Sequence, residues 1–187
     1  GNATLANSAT VSGGSLVLHS TTTSQNGGIT VNATGNDGLA YQIEYDMTVT
    51  ATGTQIADGI SYNFGNDVDA TAILPSAEKG TGSKLRVNFM TYNTANTTNG
   101  KGIYLAYGIT GDVDFTAATP GVLAYSTNTT WIPTSAGSNT KHVSISINTA
   151  NKVTVKVGGV TIFDNVPLPE SFGLEDKSTW KHVIKSR

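Results

Sequence analysis

From residue 40 to residue 50 the chain reads AYQIEYDMTVT, with Tyr41, Ile43, Tyr45, Met47 and Val49 at every second position. Gln42, Glu44, Asp46 and Thr48 take the places between them. A period of two puts one set on each face of a β-strand, because successive side chains of an extended chain point to opposite sides. A helix would scatter both sets around its circumference. The pattern recurs in KLRVNFMTY (84–92) through Leu85, Val87 and Phe89, and in GIYLAYG (102–108) through Ile103, Leu105 and Tyr107. HVSISI (142–147) and KVTVKV (152–157) alternate in the same way, and Gly158-Gly159 then supplies a hairpin turn into VTIFDN. SLVLHS (15–20), GITVNA (28–33) and WKHVIK (180–185) are further candidate strands, and ADGISYNFGND (57–67) leads from an Asp-Gly step through a strand into a polar turn.

No window of about 12 residues carries an apolar period of 3.6. The sequence therefore predicts an all-β fold, an antiparallel two-sheet β-sandwich forming one domain over residues 1–187. NTANTTNG (93–100) and PTSAGSNT (133–140) fall within it as polar loops.

Composition narrows the partners. Only 13% of the residues are charged, about half the usual share, and the net charge is −2 with no basic run. A phosphate-binding surface needs clustered Lys and Arg, so nucleic acid is not expected as a partner. No apolar run approaches the roughly 18 residues of a membrane span, so no membrane insertion is expected. Cysteine is absent while Thr, Asn, Ser and Gly abound, which points to a secreted or cell-surface bacterial protein. The chain starts with Gly and has no signal peptide, as a mature or excised piece would.

The order of the segments ADGISYNFG, GTGSKLRVNFMTYN, VGGVTIFDNVPLP and WKHVIKSR resembles the concanavalin A-like lectin and glucanase jelly rolls, particularly the legume-lectin-like and laminin-G-like domains of bacterial surface proteins. The resemblance implies that Asp58, in Ala57-Asp58-Gly59, hydrogen-bonds sugar hydroxyls. Such lectins also carry a strand Val-Glu-Phe-Asp-Thr, followed by an aromatic and an Asn, whose acids bind a transition metal and calcium. Here the strand is Val87, Asn88, Phe89, Met90, Thr91, Tyr92, Asn93, with the frame kept and both acids replaced. The lectin double-metal site is accordingly not expected. Nor is glycosidase activity, because the E-x-D-x-x-E carboxylates of the related glucanases occur nowhere in the chain. The relatives begin one strand earlier and end one strand later, so an exposed sheet edge is expected, covered by a partner chain or another segment of the parent protein.

The residues expected to bind carbohydrate are Asp58, Gly59, Tyr92, Asn93, Asn96 and Trp131. Tyr92 and Trp131 stand beside polar loops, where an aromatic face can stack on a sugar ring, whereas Tyr107 and Trp180 sit at core positions. Asp67 and Asp69, with Asn66 and Glu78 near them, could hold calcium, and Asp112 and Asp114 repeat the spacing. His19, His142 and His182 have no ligand spacing for zinc. The glycine pairs 13–14, 27–28 and 158–159 are expected in turns. The predicted function is a non-catalytic carbohydrate-binding adhesion module. The alternative is a structural or protein-interaction module whose working surface is a sheet edge.

Overall fold

A computed structural model of the chain describes residues 2–22, 24–32, 40–53, 56, 58–71, 77–92, 100–111 and 113–187. Its strands are β1 (Ala3–Asn7), β2 (Thr10–Ser12), β3 (Ser15–Val17), β4 (Gly27–Asn32), β5 (Tyr41–Ala51), β6 (Gly59–Gly65), β7 (Leu85–Met90), β8 (Gly102–Ala106), β9 (Val122–Ser126), β10 (Gly137–Ile147), β11 (Lys152–Val157), β12 (Val160–Pro167) and β13 (Lys181–Ser186). A 3-10 turn covers Ala77–Lys79, and one short helix, α1, covers Glu170–Leu174.

Seven strands form one sheet in the order β1-β4-β13-β6-β7-β8-β9, and four form the other in the order β12-β11-β10-β5. Every pairing is antiparallel. The alternation predicted within residues 40–50 holds and extends to Ala51 in β5, which pairs with β10 from Tyr41↔Ile147 to Ala51↔Gly137.

Between the sheets lies one apolar core. Leu85, Val87 and Phe89 of β7 meet Ile103 and Leu105 of β8, and Val143, Ile145, Val153 and Val155 close it from the other sheet. Phe64 is its aromatic centre, with His182 stacked on it at 4.6 Å and Trp180 and Tyr41 at 4.9 and 4.8 Å. Fully burying a Phe of this kind is worth about 1.5–3 kcal/mol. On the opposite, outer face of the seven-stranded sheet the polar side chains Asn63, Arg86 and Asn88 are buried as well. Asn63 accepts from the Thr81 N–H (3.0 Å) and donates to Val183 O (3.2 Å). Arg86 donates to the carbonyls of Gly82, Lys79 (3.0 Å) and Gly111 (3.4 Å). Each such bond satisfies a group that burial would otherwise penalise.

Several expectations change. The run 15–20 is not a core strand: β3 has three residues, all exposed, in a small hairpin with β2. Residues 137–140, expected as loop, are the start of β10, carried into the ladder by pairing with β5. β1, β2 and β9 were not foreseen, since their short segments lack a clean alternation. Gly27 and Gly28 are strand residues rather than turn residues. A Cβ on Gly27 would lie 1.7 Å from Leu18 O, so only glycine lets the chain after the hairpin cross β4 there.

Candidate functional site

Asp58 stands immediately before β6, at the end of the sheet where β13 also finishes. Its N–H donates to Arg187 O (2.8 Å), and its C=O accepts from the N–H groups of Thr91 (3.0 Å) and Tyr92 (3.2 Å). The backbone at Asp58 is thereby fixed from two sides, which leaves the carboxylate as its variable part. Oδ2 lies 3.3 Å from Arg187 Nε in a half-buried ion pair. Gly59 follows with φ +152°, and a Cβ there would come within 2.2 Å of Phe89 O. The Asp-Gly step thus lets β6 approach β7 closely while the acid stays at the rim.

Tyr92 is brought beside Asp58 by the same backbone bond and is 39% exposed. Two of the expected sugar contacts are therefore adjacent, with Gly59 supporting them. Asn93 and Asn96 lie outside the described residues, as do Ala57 and Asp112.

Trp131 is a correction. It has no exposed surface, its ring meets Phe89 edge-on at 5.6 Å, and its Nε1–H donates to Asn128 O (3.1 Å). The large apolar ring gains more from the core than from water, so it anchors its loop from beneath and offers no face to a sugar. The loop it anchors forms an open depression lined by Thr129, Ile132, Pro133, Ser135 and Asn139. Tyr104, Tyr107 and Trp180 are likewise buried.

The acids expected to hold calcium serve their own loops. Asp67 Oδ2 accepts from the Ser83 N–H (2.8 Å), and Asp69 Oδ1 accepts from the Thr71 N–H and hydroxyl (both 2.7 Å). Asp114 pairs with Lys79 at 2.5 Å. The strand positions that carry acids in legume-type lectins are Asn88 and Met90, and Met90 is buried among Tyr104, Ala106 and Phe115. Calcium takes six to eight hard oxygens, and this donor set does not fit it. Among the described residues no three or more His, Asp or Glu side chains gather where a metal could sit.

Sequence reasoning gave Glu78 only a minor part, and Arg187 none. Glu78 is 3% exposed, and burial pushes its carboxyl up to about 7, with the Asp58 charge adding to the rise. Asn88 Nδ2 donates to Glu78 O (2.8 Å), while Asn88 Oδ1 and Glu78 Oε2 are buried with no hydrogen-bond partner among the described residues. No sequence signal links Asp58 to Arg187 at the other end of the chain. The pairing of β6 with β13 makes them neighbours.

No family model and no curated protein matches the chain. Solved structures do. The VIP36 exoplasmic/lumenal domain in metal-free form aligns with a TM-score of 0.68 at 12% identity, over 99% of this chain and 77% of that one. The Emp46p carbohydrate recognition domain, also metal-free, aligns with a TM-score of 0.65 at 14% identity, over 98% of this chain and 79% of that one. This chain has the concanavalin A-like jelly-roll fold. A Ca2+/Man-bound form of the VIP36 domain gives a TM-score of 0.62 at 14% identity, over 99% of this chain and 75% of that one. At such identities the fold is shared, and the chemistry of each position must be read from this chain.

Proposed function

We propose that the domain is a non-catalytic carbohydrate-binding module that reads sugar hydroxyls with Asp58 and stacks a sugar ring on Tyr92. The observation that carries this reading is the Asp58–Arg187 pair at the rim, beside an exposed aromatic. The guanidinium holds one carboxylate oxygen and leaves the other to accept hydroxyl protons, so an internal cation does the orienting that calcium would do elsewhere. The VIP36 domain solved with calcium and mannose supports sugar as the ligand class. Recognition here proceeds without calcium. The depression beside the Trp131 loop offers Thr129, Ser135 and Asn139 as further polar contacts. A single site of this kind binds weakly, because each sugar hydroxyl exchanges water bonds for protein bonds at small net gain. Display in several copies at a cell surface supplies the avidity that adhesion needs. The lack of cysteine and the exoplasmic/lumenal origin of the VIP36 domain support a secreted or surface setting.

The test is a glycan array probed with the multimerised domain, in calcium and in EDTA. Selective binding that is equal in both, and is lost in Asp58→Ala with the β-sheet circular dichroism unchanged, is expected. Binding abolished by EDTA would refute the role given to Arg187. No binding in either condition would refute the lectin reading.

A further inference from the structure

The spacing N-x-Thr occurs at Asn2, Asn32, Asn96 and Asn128. A chain this rich in Asn and Thr produces that spacing by chance, so the side-chain arrangement must decide whether a site is used. Asn96 and Thr34 lie outside the described residues, whereas Asn128 and both residues after it are described, in the turn that leaves β9.

Asn128 Oδ1 accepts twice from Thr130, from its N–H (3.1 Å) and from its hydroxyl (2.8 Å). The Asn128 N–H donates to Ser126 Oγ (3.2 Å), and its C=O accepts from Trp131 Nε1–H (3.1 Å). Buried Trp131 thus holds the turn from beneath, while Thr127, Thr129 and Thr130 around Asn128 are exposed. Nδ2 is left over: it has no hydrogen-bond partner among the described residues, and it is not enclosed. Other loop amides are spent. Asn139 Nδ2 donates to Thr130 O (2.9 Å), and Asn148 Nδ2 donates to Asn165 Oδ1 (3.1 Å).

A hydroxyl bonded to the amide oxygen draws electron density off the nitrogen and makes its N–H easier to deprotonate. The contact spans two residues, so it is local and forms without the tertiary fold. An acceptor nitrogen needs that activation, access from solvent and no structural bond to lose. Asn128 Nδ2 has all three.

We propose that Asn128 is the attachment site of an N-linked oligosaccharide. The donor class is an oligosaccharide carried on a lipid pyrophosphate. Nδ2 attacks the anomeric carbon of the first sugar and forms the N–C bond. The C–O bond to phosphate breaks, its electron pair leaves on the lipid pyrophosphate, and the amide proton passes to that leaving group. Oδ1 and the backbone of Asn128 keep their bonds, so the folded turn carries the sugar at no internal cost. The register Gly59↔Met90, Met90↔Gly102 and Ile103↔Ser126 puts the attachment point at the same end of the sheet as Asp58. It stands three strands along, about 14 Å away at the usual strand spacing. The inference rests on the secreted or surface setting proposed above, and not on sugar binding by Asp58.

The test uses the protein purified from its own cells. Trypsin releases residues 102–141, in which Asn128 heads the sole N-x-Thr sequence. Tandem mass spectrometry is expected to place sugar on that peptide at position 128. Thr130→Ala should abolish the modification although Asn128 remains, and Thr130→Ser, which keeps the hydroxyl, should retain it. The sugar is read on the peptide, so a variant that folds poorly still reports. A parent peptide without sugar at position 128, or sugar that survives Thr130→Ala, would overturn the proposal. Neither result bears on Asp58, which the glycan array tests separately.

Discussion

Substituting Glu78→Gln probes the buried polar layer beside the candidate site. Glu78 is almost wholly buried, with its carboxyl raised from 4.5 to about 7 by desolvation first and by the Asp58 charge further down the order of causes. A group that holds its proton more tightly folded than unfolded makes stability greatest below the unfolded value. Stability should then fall as the pH rises from about 4.5 to about 7, and level off above it. At about 1.4 kcal/mol per unit, the ionised side chain costs the folded state about 3 kcal/mol at pH 8. Gln has the same shape and no charge. The variant should match the parent near pH 4.5 and exceed it by about 3 kcal/mol at pH 8. Urea unfolding followed by Trp fluorescence suits the measurement, since Trp131 and Trp180 are both buried. Parallel pH profiles for the two proteins would refute the reasoning, because Glu78 would then ionise as freely folded as unfolded.

Three further outcomes are expected. Trp131→Ala should lower stability by about 3–5 kcal/mol, since it empties a core site against Phe89; urea denaturation reads this directly. Gly59→Ala should destabilise by more than 1 kcal/mol, because φ +152° and the nearby Phe89 carbonyl leave no room for a Cβ, and its melting temperature should drop accordingly. His142 is held above the ordinary imidazole range, chiefly by its hydrogen bond to Asp46. Any stability this adds is present below the unfolded value and lost as the pH rises through the folded one. Asp46→Asn should lower the titration midpoint of the His142 ring in NMR.

What the sequence by itself determined is the set of strands whose alternation is unbroken. In β5, β7, β8, β11 and the second half of β10 the period of two is a local property, and it states both the conformation and which side chains face inward. The Asp-Gly step was also legible, because Gly59 is needed where two strands come close. Tertiary structure decided whatever depended on residues far apart in the chain. Trp131 lies in a polar stretch and looked exposed, yet Phe89 on a distant strand offers it a dry site. The partner of Asp58 exists only because β13 pairs with β6 and carries Arg187 to the rim. Local periodicity fixes the direction of a side chain, whereas burial and charge pairing depend on which strands meet.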